Sequence, residues 1–190
     1  ILQTIHGPDD VKKLSAAQCN SLAREIRQTI IDTVSRQGGH LASNLGVVEL
    51  SVALETVYNT DIDRLVFDVG HQSYVHKLLT GRRNDFDNLR QFGGMAGFPK
   101  PSESHTDAFT AGHASSSVSI ALGMARARTI LGDGYDVCAV IGDGSMTGGL
   151  AFEGLNNAGA DKNNDLLVIL NDNNMAIDRA TGALNNYLLR

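Results

Sequence analysis

Two short stretches of this chain, Val137-Cys138-Ala139-Val140-Ile141 and Leu166-Leu167-Val168-Ile169-Leu170, contain no polar side chain. Successive side chains of a strand point to opposite faces, so a strand without a polar residue needs cover on both. Between the two runs, Leu150 to Ala158 reads as a helix. Ahead of the first run Val118 to Leu131 reads as another, with small residues (Ala121, Gly123, Ala125, Ala127) that let it lie close to a sheet. Strands buried on both faces and alternating with helices predict an α/β fold: a parallel sheet with helices on both faces.

The first half fits the same scheme less cleanly. Ser15 is placed to cap a long helix running to about Gln37, with Leu22, Ile26, Ile30 and Val34 as an i, i+4 stripe and Gly38-Gly39 ending it. A second helix is expected over Val47 to Tyr58, a short buried strand over Arg64 to Val69, and short helices over Ser73 to Leu79 and Asn84 to Arg90. Gln91 to Thr110 holds two of the three prolines, five residues of Gly or Ser and little periodicity. It predicts a long irregular loop, a kind of segment that in compact domains is usually functional or mobile. With no internal repeat in 190 residues, one domain over 1–190 is expected. The chain opens without Met, and we expect it to be part of a longer, multidomain polypeptide.

Several function classes are disfavoured. A net charge of −5 with no basic stripe argues against a nucleic-acid partner. No apolar run approaches membrane-spanning length, and Ile1-Leu2-Gln3-Thr4 does not open like a secretory signal. Cys19 and Cys138 each lie in an apolar-periodic segment, which suits reduced core thiols and a cytoplasmic location. The 20 glycines sit in short clusters between periodic segments, where a backbone turns tightly or approaches a ligand.

One cluster stands out by its context. The strand ending at Ile141 runs directly into Gly142-Asp143-Gly144-Ser145, and the strand ending at Leu170 runs into Asn171-Asp172-Asn173-Asn174. Ligands of parallel α/β sheets bind outside the carboxyl ends of the strands. Asp143 and Asn173 are thirty residues apart, the length of one strand-helix-strand crossover, so both should emerge at the same edge of adjacent or near-adjacent strands. A carboxylate and an amide oxygen are hard ligands suited to magnesium, which keeps phosphate oxygens and water in its remaining positions. The flanking glycines admit a diphosphate to the backbone, and a following helix N-terminus, capped by Ser145 or Thr147, would favour an anion. A second Gly-Asp-Gly, residues 132–134, follows a helix and precedes a strand, where it reads as a helix stop and turn.

Five ordered motifs extend this pattern: Gly38-Gly39-His40, Asp68-Val69-Gly70-His71-Gln72, Gly112-His113-Ala114-Ser115-Ser116-Ser117, Gly142 to Gly148, and Leu170-Asn171-Asp172-Asn173-Asn174-Met175. Together with Gly182-Ala183-Leu184-Asn185-Asn186-Tyr187 they resemble, in order and spacing, the N-terminal part of the 1-deoxy-D-xylulose-5-phosphate synthase family, thiamine-diphosphate enzymes of the transketolase type. The resemblance implies thiamine diphosphate and Mg2+ as cofactors, with pyruvate and D-glyceraldehyde 3-phosphate joined to give 1-deoxy-D-xylulose 5-phosphate and carbon dioxide. That product feeds isoprenoid, thiamine and pyridoxal biosynthesis. It further implies a homodimer, and pyrimidine-binding and C-terminal domains beyond this chain, without which the fragment should be inactive.

By the same resemblance Asp143, the Asn173 side chain and the Met175 carbonyl hold magnesium. Gly144 and Ser145 meet the diphosphate, and Gly112, His113 and Ala114 line the cofactor. His71 contacts the cofactor, and His40 lies near the reacting carbon, where imidazole moves protons near neutral pH. The histidines show no i, i+4 pair, which argues against zinc, and His6, His76 and His105 are given no role. The sequence departs from the family at Ala114 and Gly148, and at Ala176 and Asp178, where serines are usual. Transketolase and a non-catalytic diphosphate-binding module are the alternatives.

Overall fold

A computed structural model describes residues 1–173, 182 and 183. The chain packs as two compact units, one of residues 1–63 with 70–110, the other of Arg64–Val69 with the described residues from Ala111 onward.

The first unit is helical. α1 spans Pro8–Lys12, α2 Ala16–Gln37, α3 Leu41–Leu45, α4 Val48–Val57 and α5 Tyr74–Leu79, followed by a 3-10 turn at Arg83–Asn88. α2 starts where the sequence places it. The Ser15 side chain accepts from the Gln18 backbone and the Gln18 side chain accepts from the Ser15 backbone, a reciprocal capping box. It ends at Gly38, whose φ of 78° suits glycine. Leu22, Ile26 and Ile30 are fully buried and pack with Val48 and Val52 of α4 and with Tyr74, Val75, Leu78 and Leu79 of α5. Each such side chain contributes about 1.5–3 kcal/mol by leaving water. The expected helix over Asn84 to Arg90 is the 3-10 turn, and α1 and α3 are too short to have left a period in the sequence.

Gln91 to Thr110 contains neither helix nor strand, as expected, yet it is firmly tied. Arg82 grips Asp107 with two hydrogen bonds of 2.7 and 2.8 Å, and Lys100 N–H donates to the same carboxylate at 2.7 Å.

The second unit is a parallel sheet in the order β1-β2-β3, with β1 Arg64–Phe67, β2 Val137–Gly142 and β3 Leu166–Asn171. Its helices are α6 Ser117–Leu131, the single turn α7 Asp143–Met146, and α8 Gly149–Ala160. β2 is buried from Val137 to Ile141. Ile141 packs with Val118 of α6, Ala151 and Leu155 of α8, and Val168 and Leu170 of β3. β3 departs from the expectation of burial on both faces. Among the described residues it pairs only with β2, and Leu167 is 47% exposed. Cys138 is buried, Cys19 half-buried, and neither forms a disulfide. No described helix is long and apolar enough to cross a membrane.

Candidate functional site

In the second unit, β2 and β3 run in register with Gly142 opposite Asn171. Asp143, one residue past the end of β2, and Asn173, two past the end of β3, therefore leave the same carboxyl edge of neighbouring strands. Asp143 is half-buried, and its Oδ2 is buried with no hydrogen-bond partner among the described residues. A bare carboxylate oxygen away from water is costly unless something binds it. Among the described residues no three His, Cys, Asp or Glu side chains converge on a metal site. A cation held by Asp143 would thus also draw on amide or carbonyl oxygens, a set that fits magnesium. Met175 lies outside the described residues, as do Asn174, Ala176 and Asp178.

The turn after Asp143 differs from expectation. Neither Ser145 nor Thr147 is a helix N-cap. The helical path stops after Met146 and restarts at Gly149, and the two N-cap positions are Gly142 and Gly148. The Thr147 hydroxyl donates to the Gly144 carbonyl at 2.7 Å, while the Ser145 carbonyl accepts the Ser115 hydroxyl at 2.7 Å. Both serve the turn instead of the helix end. The other Gly-Asp-Gly is the stop that the sequence suggests. Gly132 closes α6 in the left-handed conformation at φ 73°, and Asn164 is spent on the backbone of Ala158, Asp161 and Leu166.

Gly112, His113 and Ala114 are exposed. The segment that follows them is not. Asp68, immediately past β1, is 1% exposed and accepts from the backbone N–H of Ser115 at 2.8 Å and of Ser117 at 2.9 Å. From sequence alone neither Asp68 nor Ser115 has a role of its own. An aspartate closing an apolar strand, and a later run of three serines, were the available signals.

In the first unit the two histidines assigned to chemistry meet. His40 and His71 lie edge to face with ring centroids 5.4 Å apart, and Phe98 stands at 5.7 Å on His40. Tyr74 holds His40 twice, its hydroxyl accepting from the His40 backbone N–H at 3.3 Å and facing Nδ1 at 3.3 Å. Gly39 makes this approach possible, since a Cβ there would stand 3.0 Å from the Tyr74 hydroxyl at a φ of 144°. Fully buried Asn44, unremarked in the sequence, donates to the carbonyls of His40 at 2.6 Å and His71 at 2.8 Å and accepts from Tyr74 N–H at 2.9 Å. Burial, with the nearby positive charge of Arg90, holds His40 below the ordinary histidine value, so its imidazole is neutral at pH 7.

His76, given no role from sequence, is 1% exposed between two carboxylates. Glu55 Oε1 lies 2.7 Å from Nδ1 and Asp107 Oδ1 lies 3.2 Å from Nε2. Both nitrogens face acceptors, so both carry protons. Burial opposes that charge, but the hydrogen bonds to Asp107 and Glu55 outweigh it and raise the His76 pKa. Asp107 is held far below the usual carboxylate range: burial works the other way and is overcome by His76 and Arg82.

A parallel sheet flanked by helices makes this unit an α/β fold. Solved structures share it. A transketolase from Leishmania mexicana superposes with a TM-score of 0.77 over 90% of this chain and 30% of its own, at 23% identity. One from Pichia stipitis gives 0.71 over 86% and 28%, at 22% identity. At such identities the likeness shows the fold alone.

The sequence is more specific. The family model described as 1-deoxy-D-xylulose-5-phosphate synthase matches residues 2–190. Proteins of that name from Pelotomaculum thermopropionicum and Thiobacillus denitrificans are 57% and 58% identical over the whole chain, which covers 30% and 31% of their lengths. The chain belongs to the 1-deoxy-D-xylulose-5-phosphate synthase family and spans about 30% of the length of these relatives.

Proposed function

We propose that this chain is the magnesium- and diphosphate-binding part of an enzyme that joins pyruvate to D-glyceraldehyde 3-phosphate, giving 1-deoxy-D-xylulose 5-phosphate and carbon dioxide. The observation that carries the reading is the buried Asp143 Oδ2, without a hydrogen-bond partner among the described residues, at the strand edge it shares with Asn173. In this reading Asp143, the Asn173 side chain and the Met175 carbonyl hold Mg2+. Gly144 and Ser145 meet the diphosphate, and Gly112, His113 and Ala114 line the cofactor. Thiamine diphosphate, when bound, supplies the carbon nucleophile that no side chain provides. The protein's own contribution is orientation and proton handling.

His40, neutral at pH 7, is suited to accept a proton at its ring nitrogen. His71, held beside it through Asn44, is the second proton-handling group and a cofactor contact. Family membership supports a homodimeric, cytoplasmic enzyme completed by pyrimidine-binding and C-terminal domains. The transketolase likeness is one of fold, so transketolase activity ranks second.

Titrating thiamine diphosphate into the protein with and without Mg2+ tests the reading. Binding should require the metal and disappear in Asp143→Ala. Undiminished binding by that variant would reduce Asp143 to a turn residue. Supplying the intact protein with pyruvate and glyceraldehyde 3-phosphate, and separately with xylulose 5-phosphate and ribose 5-phosphate, ranks the two activities. Binding without turnover of either pair would leave a non-catalytic module.

A further inference from the structure

Asp68 is buried, and neither of its carboxylate oxygens is spare: one takes Ser115 N–H, the other Ser117 N–H. α6 begins at Ser117 and has no side-chain cap of its own, and its first amide, that of Ser117, is served by a carboxylate from a different element. Negative charge is also what the helix dipole favours there. The backbone that Asp68 grips is not relaxed. Ser115 has a φ of 70° and Val69, next to Asp68, a φ of 57°, a conformation that is a true outlier for a β-branched residue. Such strain persists only where the surroundings over-determine it, and here Asp68 is the group between the two.

Ser115 carries the constraint onward. Its hydroxyl donates to the Ser145 carbonyl at 2.7 Å, and its side chain occupies the space that a Cβ on Gly148 would need. Ser145 and Gly148 belong to the turn opened by Asp143. Three links thus run from the end of β1, through the start of α6, to the turn at the end of β2.

We infer that Asp68 is a positioning residue for the Asp143–Gly148 turn, acting through Ser115. Its carboxylate fixes the Ser115 backbone, the Ser115 hydroxyl fixes Ser145, and the turn is thereby held ready for a cation-bound diphosphate. The ligand class rests on the proposed function; the mechanical link from Asp68 to the turn does not.

Hydrogen exchange read by mass spectrometry on the intact protein, without ligand, tests the link. Calorimetry with Mg2+ and thiamine diphosphate tests its consequence. Ser115→Ala keeps the Asp68 contacts and should melt close to wild type. Peptides spanning 143–148 should nevertheless exchange faster, and cofactor binding should weaken by about three- to ten-fold, the worth of one hydrogen bond. Asp68→Asn retains one acceptor oxygen and sets an amide N–H₂ against the second donor. It should loosen both 113–117 and 143–148.

Val66→Ala, a buried truncation in β1, controls for simple destabilisation. It should lower the melting temperature without singling out the turn. Unchanged exchange at 143–148 in Ser115→Ala, or the same turn-specific acceleration in Val66→Ala, overturns the inference. Should Asp68→Asn fail to fold, Ser115→Ala decides alone. Absence of Mg2+-dependent binding by the wild type would sink the cofactor reading, and the exchange data would still decide the link.

Discussion

His40 and His71 stand edge to face at 5.4 Å, and one buried carboxamide, that of Asn44, holds the backbone carbonyls of both. The pair is therefore positioned through its main chain, with the Tyr74 hydroxyl facing Nδ1 of the His40 ring. Replacing Asn44 with Leu strands two carbonyls and the Tyr74 amide. Each buried group left without a partner costs about 1–3 kcal/mol. We expect Asn44→Leu to lower stability measurably in chemical denaturation and to broaden the NMR ring signals of both histidines. Sharp, unshifted signals in a folded variant would show that Asn44 does not order the pair.

The charge state of His40 gives a second expectation. Burial and Arg90 depress its folded-state pKa below 6.5, whereas the unfolded chain titrates near that ordinary value. The unfolded state thus binds the proton more readily, and this residue costs stability as pH falls from about 6.5 through the folded value. An NMR titration of the His40 ring should show a midpoint below 6.5, and Arg90→Ala should move it upward. A midpoint at or above the ordinary value contradicts the geometry.

His76 has the opposite sign. Its folded-state pKa is raised, so its contribution is fully present below the ordinary value of 6.5 and fades as pH rises through the folded value. The groups facing it are Glu55 on α4, Asp107 in the 91–110 loop and, more distantly, Arg82. Removing one member of a buried ion pair costs about 3–5 kcal/mol. His76→Gln should therefore destabilise strongly near pH 6, and the gap from wild type should narrow in alkali. A gap independent of pH would mean that the imidazole is neutral.

Why some of this was legible in the sequence and some was not follows from the range of each signal. α2 announces itself because its capping box and its stripe of Leu22, Ile26, Ile30 and Val34 are local patterns. β2 does so because five consecutive apolar residues admit few other readings. The shared edge of Asp143 and Asn173 was readable from crossover length and strand context. Asn44, His76 and Asp68 were not. Apart from the Asn44 bond to His40 four residues off, their partners lie 21 to 49 residues away, and polar pairing at that range leaves no period behind. The break between α7 and α8 escaped for a related reason. Glycine at 148 says only that a turn is allowed there, while the Ser115 side chain against it supplies the cause.

Asp143 poses a conflict between stability and binding that one substitution exposes. Its Oδ2 is buried without a partner among the described residues, a state that costs the folded chain about 1–3 kcal/mol. A purely structural residue at a strand-end turn has no reason to carry that cost, whereas a residue kept for a cation does. Without metal, Asp143→Ala should be as stable as wild type or more stable by up to about that amount. Adding Mg2+ and thiamine diphosphate should reverse the order. A ligand at a hundred times its dissociation constant stabilises the state that binds it by about 2.7 kcal/mol, and only the wild type would gain this. Denaturation curves of both proteins, each with and without metal and cofactor, therefore ought to cross. Should the variant be less stable under every condition, Asp143 contributes a structural contact and the cation site belongs elsewhere.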